Sequence, residues 1–221
     1  MVKGNPRGAI IFAGSMKEKT ISRHFSPDEK GTLLEYVLDS VWTIADELMV
    51  VFESEPKLSL VEAISPFGAK VLTIPDGQNS LTTLTEAFKM SDAEYVLLTT
   101  ERLPLLKPNI ALSLFENVHG NDLAIPKWTT GKIEPLFAVY HKSAFLKLAG
   151  QLKGPQRKDD IGSMLLGLIE QLFDVKYLSV EKELKEIDPE LDSFLEVKDE
   201  KSLSLARSKA TVRGKTRLLK K

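Results

Sequence analysis

Residues 8–13, Gly8-Ala9-Ile10-Ile11-Phe12-Ala13, form an unbroken apolar run that ends in Gly14-Ser15. The run is too short for a helix and does not alternate with polar residues, so both of its faces must be buried. A strand buried on both faces belongs in the middle of a parallel sheet covered by helices. Its C-terminal end then opens into a crevice where ligands bind. A polar stretch from Gly14 to Lys30 follows, and Gly31-Thr32-Leu33-Leu34 starts a helix. Gly14 lets backbone approach a phosphate without a Cβ in the way. A lysine at the far end of the loop can neutralise that phosphate. Taken alone, Gly14-Ser15 also suits an ordinary strand-to-helix turn with surface lysines.

The rest of the chain repeats the same alternation. Leu33, Leu34, Val37, Leu38, Val41 and Ile44 have helical spacing, and Leu48 to Phe52 is a second strand. Pro56 opens a helix that Gly68 stops. Lys70 to Pro75 is a strand that runs into the turn Asp76 to Ser80, and Leu81 to Met90 is a helix. Glu94 to Thr100 is a strand ending in Glu101-Arg102-Leu103-Pro104, and Pro108 starts the next helix. Asp122 to Pro126 and Ile133 to Tyr140 are expected as strands around an exposed turn, Lys127 to Lys132. Pro135 is expected at a sheet edge or a bulge. Ser143 is expected to cap a helix reaching Leu152. Helix Ile161 to Leu172, strand Val175 to Val180 and a last helix, Glu200 to Ala206, complete the series. This order predicts an α/β fold, an open and mostly parallel sheet with helices on both faces in three layers. Three of the first four strands end in polar segments (Gly14 to Lys30, Asp76 to Ser80, Glu101 to Pro104) that share one rim of such a sheet.

Composition excludes several classes. The 221 residues contain no cysteine, which removes disulfides, thiolate zinc sites and thiol catalysis and fits a reducing compartment. The net charge of −1 gives no global attraction to nucleic acid or acidic membranes. No apolar run approaches the roughly 20 residues that span a bilayer, and Met1 to Arg7 leaves no room for a secretory h-region. A cytoplasmic location is expected. His24, His119 and His141 show no metal spacing and read as surface residues. Trp42 reads as core-facing, and Trp128 as an exposed aromatic in a turn. Every charge from Lys201 onward is basic. Residues 1–207 therefore read as one α/β domain, and residues 208–221 as a flexible basic tail.

The order of motifs resembles the molybdenum cofactor guanylyltransferase family, nucleotidyltransferases of glycosyltransferase-like, Rossmann-like fold. Ala13-Gly14-Ser15 stands where that family has Ala-Gly-Gly, and Lys30-Gly31-Thr32-Leu33-Leu34 where it has a lysine before a Leu-Leu helix. Ile74-Pro75-Asp76-Gly77 leads to Asn79-Ser80-Leu81, where the family has an Asp beside a Gly-Pro-Leu turn. Glu134-Pro135-Leu136-Phe137-Ala138-Val139-Tyr140 matches its Glu-Pro-Leu-x-Ala-x-Tyr. Phe194-Leu195-Glu196-Val197 with Asp199-Glu200 echoes its final strand and acidic helix. The resemblance runs from about Gly8 to Ala206. The chain departs from the pattern at Ser15, in a longer loop whose arginine is Arg23, and in the missing Gly-Pro. It also departs at the metal-binding Asp-x-Pro. Counting back from Pro104 puts Arg102 at the Asp; one inserted residue puts Glu101 there.

The resemblance implies transfer of GMP from GTP to the phosphate of molybdopterin, with Mg²⁺. It implies a nucleotide site at Ala13, Gly14, Ser15, Lys17 and Asp76, with base recognition by backbone of the opening turn. Lys30 would stabilise charge on the phosphates, with Lys17 and Lys19 as rivals. Glu101, with Asp199 as a further candidate, would hold the metal, and Glu134 and Pro135 would contact the acceptor. Asp76 also suits a plain Asp-Gly turn, and Asp199 and Glu200 suit helix N-terminal charges. The alternative is a relative that binds nucleotide, or acts as a scaffold, after losing the metal site. No membrane and no specific nucleic acid is expected as a partner, since the basic tail has no aromatic residues interleaved to stack bases.

Overall fold

The structure, a computed structural model, describes residues 6–13, 31–74, 80–151, 161, 162, 165, 166, 169 and 174–218, with side chains as far as residue 210. Its strands are β1 (Arg7–Ala13), β2 (Glu47–Phe52), β3 (Lys70–Thr73), β4 (Tyr95–Thr100), β5 (Leu123–Lys127), β6 (Ala138–His141) and β7 (Val175–Ser179). Its main helices are α1 (Leu33–Trp42), α2 (Leu58–Ile64), α3 (Ser80–Met90), α4 (Pro108–Asn117), α5 (Lys142–Gln151) and α6 (Glu200–Leu218). The strands form one seven-stranded sheet in the order β3-β2-β1-β4-β6-β5-β7. β1 pairs in parallel with both β2 and β4, and β6 runs antiparallel between β4 and β5.

β1 is central, as its unbroken apolar run requires. Ile10 and Phe12 enter one core while Ala9, Ile11 and Ala13 enter the other, the alternation of a pleated strand. One core lies under α1, α2 and α4; the other lies under α3, α5 and the helical residues Ile161, Leu165 and Ile169. α1 starts where the sequence dictates. Thr32 Oγ1 accepts the Glu35 N–H at 3.3 Å, and Glu35 Oε2 accepts the Thr32 N–H at 2.7 Å, a reciprocal cap. Leu33, Leu34, Val37, Leu38 and Val41 are then buried on one face. α2 runs on into a 3₁₀ turn, Ser65–Phe67, which stops at Gly68 with φ 66°. That left-handed conformation suits glycine because it has no Cβ to clash.

Four local expectations need correction. Of the expected strand 133–140 only residues 138–140 are strand, in a β6 that runs one residue further to His141. β5 and β6 pair only at Leu123↔Tyr140 and Ala124↔Val139. Pro126 and Pro135 have no N–H to extend the ladder, and Phe137 N–H turns back to the Glu134 carbonyl at 2.9 Å. Ser143 does not cap α5, which begins at Lys142; its hydroxyl meets His141 Nδ1 at 2.8 Å. Trp42 is not core-facing but 54% exposed. It lies off the buried stripe of α1 and packs edge-on against Phe67, with centroids 6.3 Å apart. Trp128 is half-buried rather than exposed, because its ring lies against Phe194 at 5.5 Å.

The C-terminal segment returns to the sheet through buried acids. Asp188 is fully buried; it pairs with Lys107 Nζ and accepts the Ser193 N–H at 2.8 Å. Asp192 pairs with Lys209 of α6 at 2.7 Å. Between the two acids Leu191 adopts φ 52°, a left-handed conformation costing a leucine about 1–2 kcal/mol. Leu203 and Ala206 of α6 pack against Leu33, Leu105 and Val197. α6 is continuous to Leu218, beyond the expected end at Ala206, so residue 207 falls inside a helix. No helix among the described residues is long and apolar enough to cross a membrane.

Candidate active site

β1, β2, β3 and β4 are mutually parallel, so their C-terminal ends share one edge of the sheet. β6 starts at that edge too, because its first residue, Ala138, faces Leu98 near the end of β4. The end of β4 therefore stands between two regions. On one side β1 ends at Ala13. On the other, the turn before β6 brings in Glu134 and Pro135.

After Thr100 the chain turns, with the Leu103 N–H bonded to the Thr100 carbonyl at 3.3 Å. This turn sends the next two side chains apart. Glu101 is fully buried. Its N–H reaches the Phe12 carbonyl of β1 at 3.4 Å, and Thr100 Oγ1 donates to its Oε2 at 3.0 Å. Arg102 instead lines a pocket of about 450 Å³ with Thr100, Glu134, Pro135, Phe194 and Glu196 among its walls. Arg102 Nη1 donates to Glu196 Oε1 at 3.0 Å, and Lys198 Nζ meets Glu196 Oε2 at 2.8 Å. The Val197 N–H bonds the Arg102 carbonyl at 2.8 Å, which ties this C-terminal segment to the end of β4. Glu134 Oε1 accepts Trp128 Nε1–H at 2.8 Å and Lys132 Nζ at 2.7 Å. The Tyr140 hydroxyl donates to the Pro135 carbonyl at 2.6 Å, and burial pushes that phenol far above its ordinary range.

Of the residues singled out from the sequence, Glu134 and Pro135 line this pocket, and Ala13 closes β1 at the same edge. Glu101 lies beside β1 and outside the pocket's lining. Gly14, Ser15, Lys17, Lys30 and Asp76 lie outside the described residues, as do the rivals Lys19 and Arg23 and His24. Asp199 turns toward α6, where its Oδ1 accepts the Ser202 N–H at 2.8 Å and the Ser202 hydroxyl at 2.7 Å. Those hydrogen bonds, the backbone one first, hold its carboxyl below the ordinary range. His119 is exposed, and half-buried His141 meets Glu94 at 3.2 Å. The Arg102–Glu196 pair, Lys198 and Lys132 were not found from the sequence as site residues. The pair joins positions 94 residues apart, for which no local pattern exists.

Among the described residues no three or more His, Cys, Asp or Glu side chains gather into a metal cage. Mg²⁺ does not require one, because it keeps several waters and takes one or two carboxylates plus substrate phosphates. Glu101, a single carboxylate at a strand end, is the candidate for that role; its side chain is fully buried and its Oε2 accepts from Thr100 Oγ1.

Residues 15–168 match the MobA-like NTP transferase domain. A probable molybdenum cofactor guanylyltransferase of Methanosarcina mazei is 25% identical over 198 residues, covering 86% of this chain and 85% of the relative. The solved structure of molybdopterin-guanine dinucleotide biosynthesis protein A from Archaeoglobus fulgidus superposes with TM-score 0.67 at 22% identity, covering 93% of this chain and 98% of that one. A 4-diphosphocytidyl-2C-methyl-D-erythritol synthase from Anaerococcus prevotii superposes with TM-score 0.65 at 12% identity, covering 95% and 98%. At those identities the superpositions establish the sheet and its topology, whereas the match over residues 15–168 establishes kinship. The chain belongs to the family of MobA-like NTP transferase domains and is a nucleotidyltransferase.

Proposed function

We propose that this chain is a Mg²⁺-dependent guanylyltransferase that moves GMP from GTP onto the phosphate of molybdopterin and releases pyrophosphate. One observation supports this most. Glu101 stands at the end of β4 against β1, and the next residue, Arg102, lines a pocket together with Glu134 and Pro135. A nucleotide on the β1 side and an acceptor on the β6 side then meet across a single strand end. The activities named for the Methanosarcina and Archaeoglobus relatives supply the nucleotide and the acceptor.

In this scheme Ala13, Gly14, Ser15 and Lys17, with Asp76, receive the nucleotide, and Lys30 offsets charge on its phosphates. Glu101 holds Mg²⁺, which when bound neutralises phosphate charge. Glu134 and Pro135 seat the acceptor so that its phosphate oxygen lies in line with the α-phosphorus of GTP. That oxygen forms the new bond to the α-phosphorus while the bond to the β-phosphate bridging oxygen breaks. The electron pair leaves with pyrophosphate. The reaction belongs in the cytoplasm, consistent with a chain without cysteine.

The test is pyrophosphate release from purified protein with molybdopterin, Mg²⁺ and each of GTP, ATP and CTP in turn, with the dinucleotide product identified by mass. Thermal unfolding with each nucleotide runs beside it. A ligand at 100 times its Kd stabilises by about 2.7 kcal/mol, roughly 5–11 °C for a chain of this size. GTP-selective release supports the proposal. Release only with another nucleotide overturns the choice of base. A GTP shift with no transfer at any Mg²⁺ concentration replaces the enzyme with a nucleotide-binding relative, the reading that Arg102 in the pocket wall would then favour.

A further inference from the structure

The pocket beyond β4 carries three cationic side chains, Arg102, Lys132 and Lys198, against two carboxylates, Glu134 and Glu196. The cations are not equivalent. Lys132 and Lys198 are 59% and 61% exposed, whereas Arg102 is 25% exposed. A charge-assisted hydrogen bond gains strength as water is excluded. A guanidinium also presents its donors in a rigid plane that matches two phosphate oxygens, which an ammonium does not. Glu196 lies between Arg102 and Lys198, at 3.0 and 2.8 Å, and fixes the direction of the guanidinium. Phe137 and Phe194, whose rings lie 5.5 Å apart, form an apolar wall of the same pocket. A volume of about 450 Å³ suits one small molecule with a ring and an anionic group.

We propose that Arg102, aimed by Glu196, grips the phosphate monoester of the acceptor. This rests on the acceptor lying on the β6 side of β4, as argued above. Glu196 has two effects of opposite sign. It orients Arg102, and it competes with the incoming dianion for the same guanidinium. The neutral amide of glutamine keeps an acceptor oxygen for Arg102 and removes the competing charge. The two residues therefore give opposite results on substitution, which a purely structural ion pair would not.

The probe is phenyl phosphate, a ring bearing a phosphate monoester. Binding to the full chain is followed by Trp128 fluorescence in a Trp42→Phe background, since the chain has two tryptophans and Trp128 packs on Phe194. Phenol serves as the phosphate-free control and GTP as the nucleotide control. Arg102→Ala is expected to weaken phenyl phosphate by about tenfold to a hundredfold, the loss of charge-assisted hydrogen bonds, with phenol and GTP unchanged. Arg102→Lys is expected to fall between, which keeps the test decisive if the alanine variant does not fold. Glu196→Gln is expected to tighten phenyl phosphate and to steepen its salt dependence. The proposal is overturned if wild type does not bind phenyl phosphate, if neither Arg102 variant weakens it, or if Glu196→Gln weakens it as Arg102→Ala does. Equal loss of GTP affinity in Arg102→Ala would assign the gripped phosphate to the nucleotide and overturn it as well. Expected behaviour here with no guanylyl transfer would refute the enzymatic scheme and leave the phosphate grip standing.

Discussion

Asp188→Asn probes the device that holds the C-terminal wall of the pocket. The carboxylate is fully buried and serves two donors with separate oxygens. Lys107 Nζ meets Oδ1, and the Ser193 N–H reaches Oδ2 at 2.8 Å. Asparagine has one oxygen, so its NH₂ must face one of those donors, and the ammonium loses its counter-charge. Removing one partner of a buried pair costs about 3–5 kcal/mol. Lys107 is 29% exposed and recovers part of that by hydration, leaving about 2–3 kcal/mol. For a chain of this size that lowers Tm by about 4–12 °C. The pH dependence supplies the sharper check. Burial raises the carboxyl's pKa, but the hydrogen bonds from Lys107 and Ser193 outweigh it and hold the folded value below the ordinary 3.8. A depressed folded pKa gives stability that is present above the unfolded value and lost as pH falls through the folded one. The Tm gap between wild type and Asp188→Asn must therefore be full at neutral pH and narrow as pH drops below 3.8. Thermal unfolding followed by circular dichroism across that range reads it directly. A gap that stays constant into acid, or no gap at neutral pH, would refute the reasoning.

Tyr140→Phe leaves the Pro135 carbonyl without its donor and should cost about 1–2 kcal/mol in urea unfolding, with m unchanged. Because burial raises the Tyr140 pKa, its share of stability is present below the unfolded value of about 10 and is lost as pH rises above it. Phenolate absorbance from this side chain should consequently appear only on unfolding, and its appearance in the native protein at about pH 10 would contradict that burial. Glu101→Ala should lower Mg²⁺-dependent turnover by about 10²-fold, the order that loss of one electrostatic stabiliser costs. Undiminished pyrophosphate release would remove Glu101 from the metal site. Lys30→Ala should shrink the thermal shift given by GTP, and an unchanged shift would transfer the phosphate role to a rival such as Lys17.

Much of the fold was legible because it is written in local periodicity. Six residues from Gly8 to Ala13 demanded a strand buried on both faces, and β1 is the central strand between β2 and β4. The spacing of Leu33, Leu34, Val37, Leu38 and Val41 announced α1, and Gly68 the end of α2. Glu134 and Pro135, singled out from the sequence as acceptor contacts, line the pocket. The failures lie where side chains or prolines act across the fold. Nothing local to Pro135 reveals that Pro126, on the neighbouring strand, also withholds an N–H and stops the β5–β6 ladder. Trp42 sits among apolar helix residues, yet helical phase turns it outward toward Phe67.

The sequence by itself therefore determined the α/β class and the mostly parallel sheet, since hydrophobic spacing acts within a few residues. It offered Glu101 and Arg102 as alternatives and could not choose which faces the pocket. The tertiary structure decided that Arg102 does, because a turn after β4 separates two adjacent side chains and Glu196, 94 residues away, supplies the charge that holds the guanidinium there.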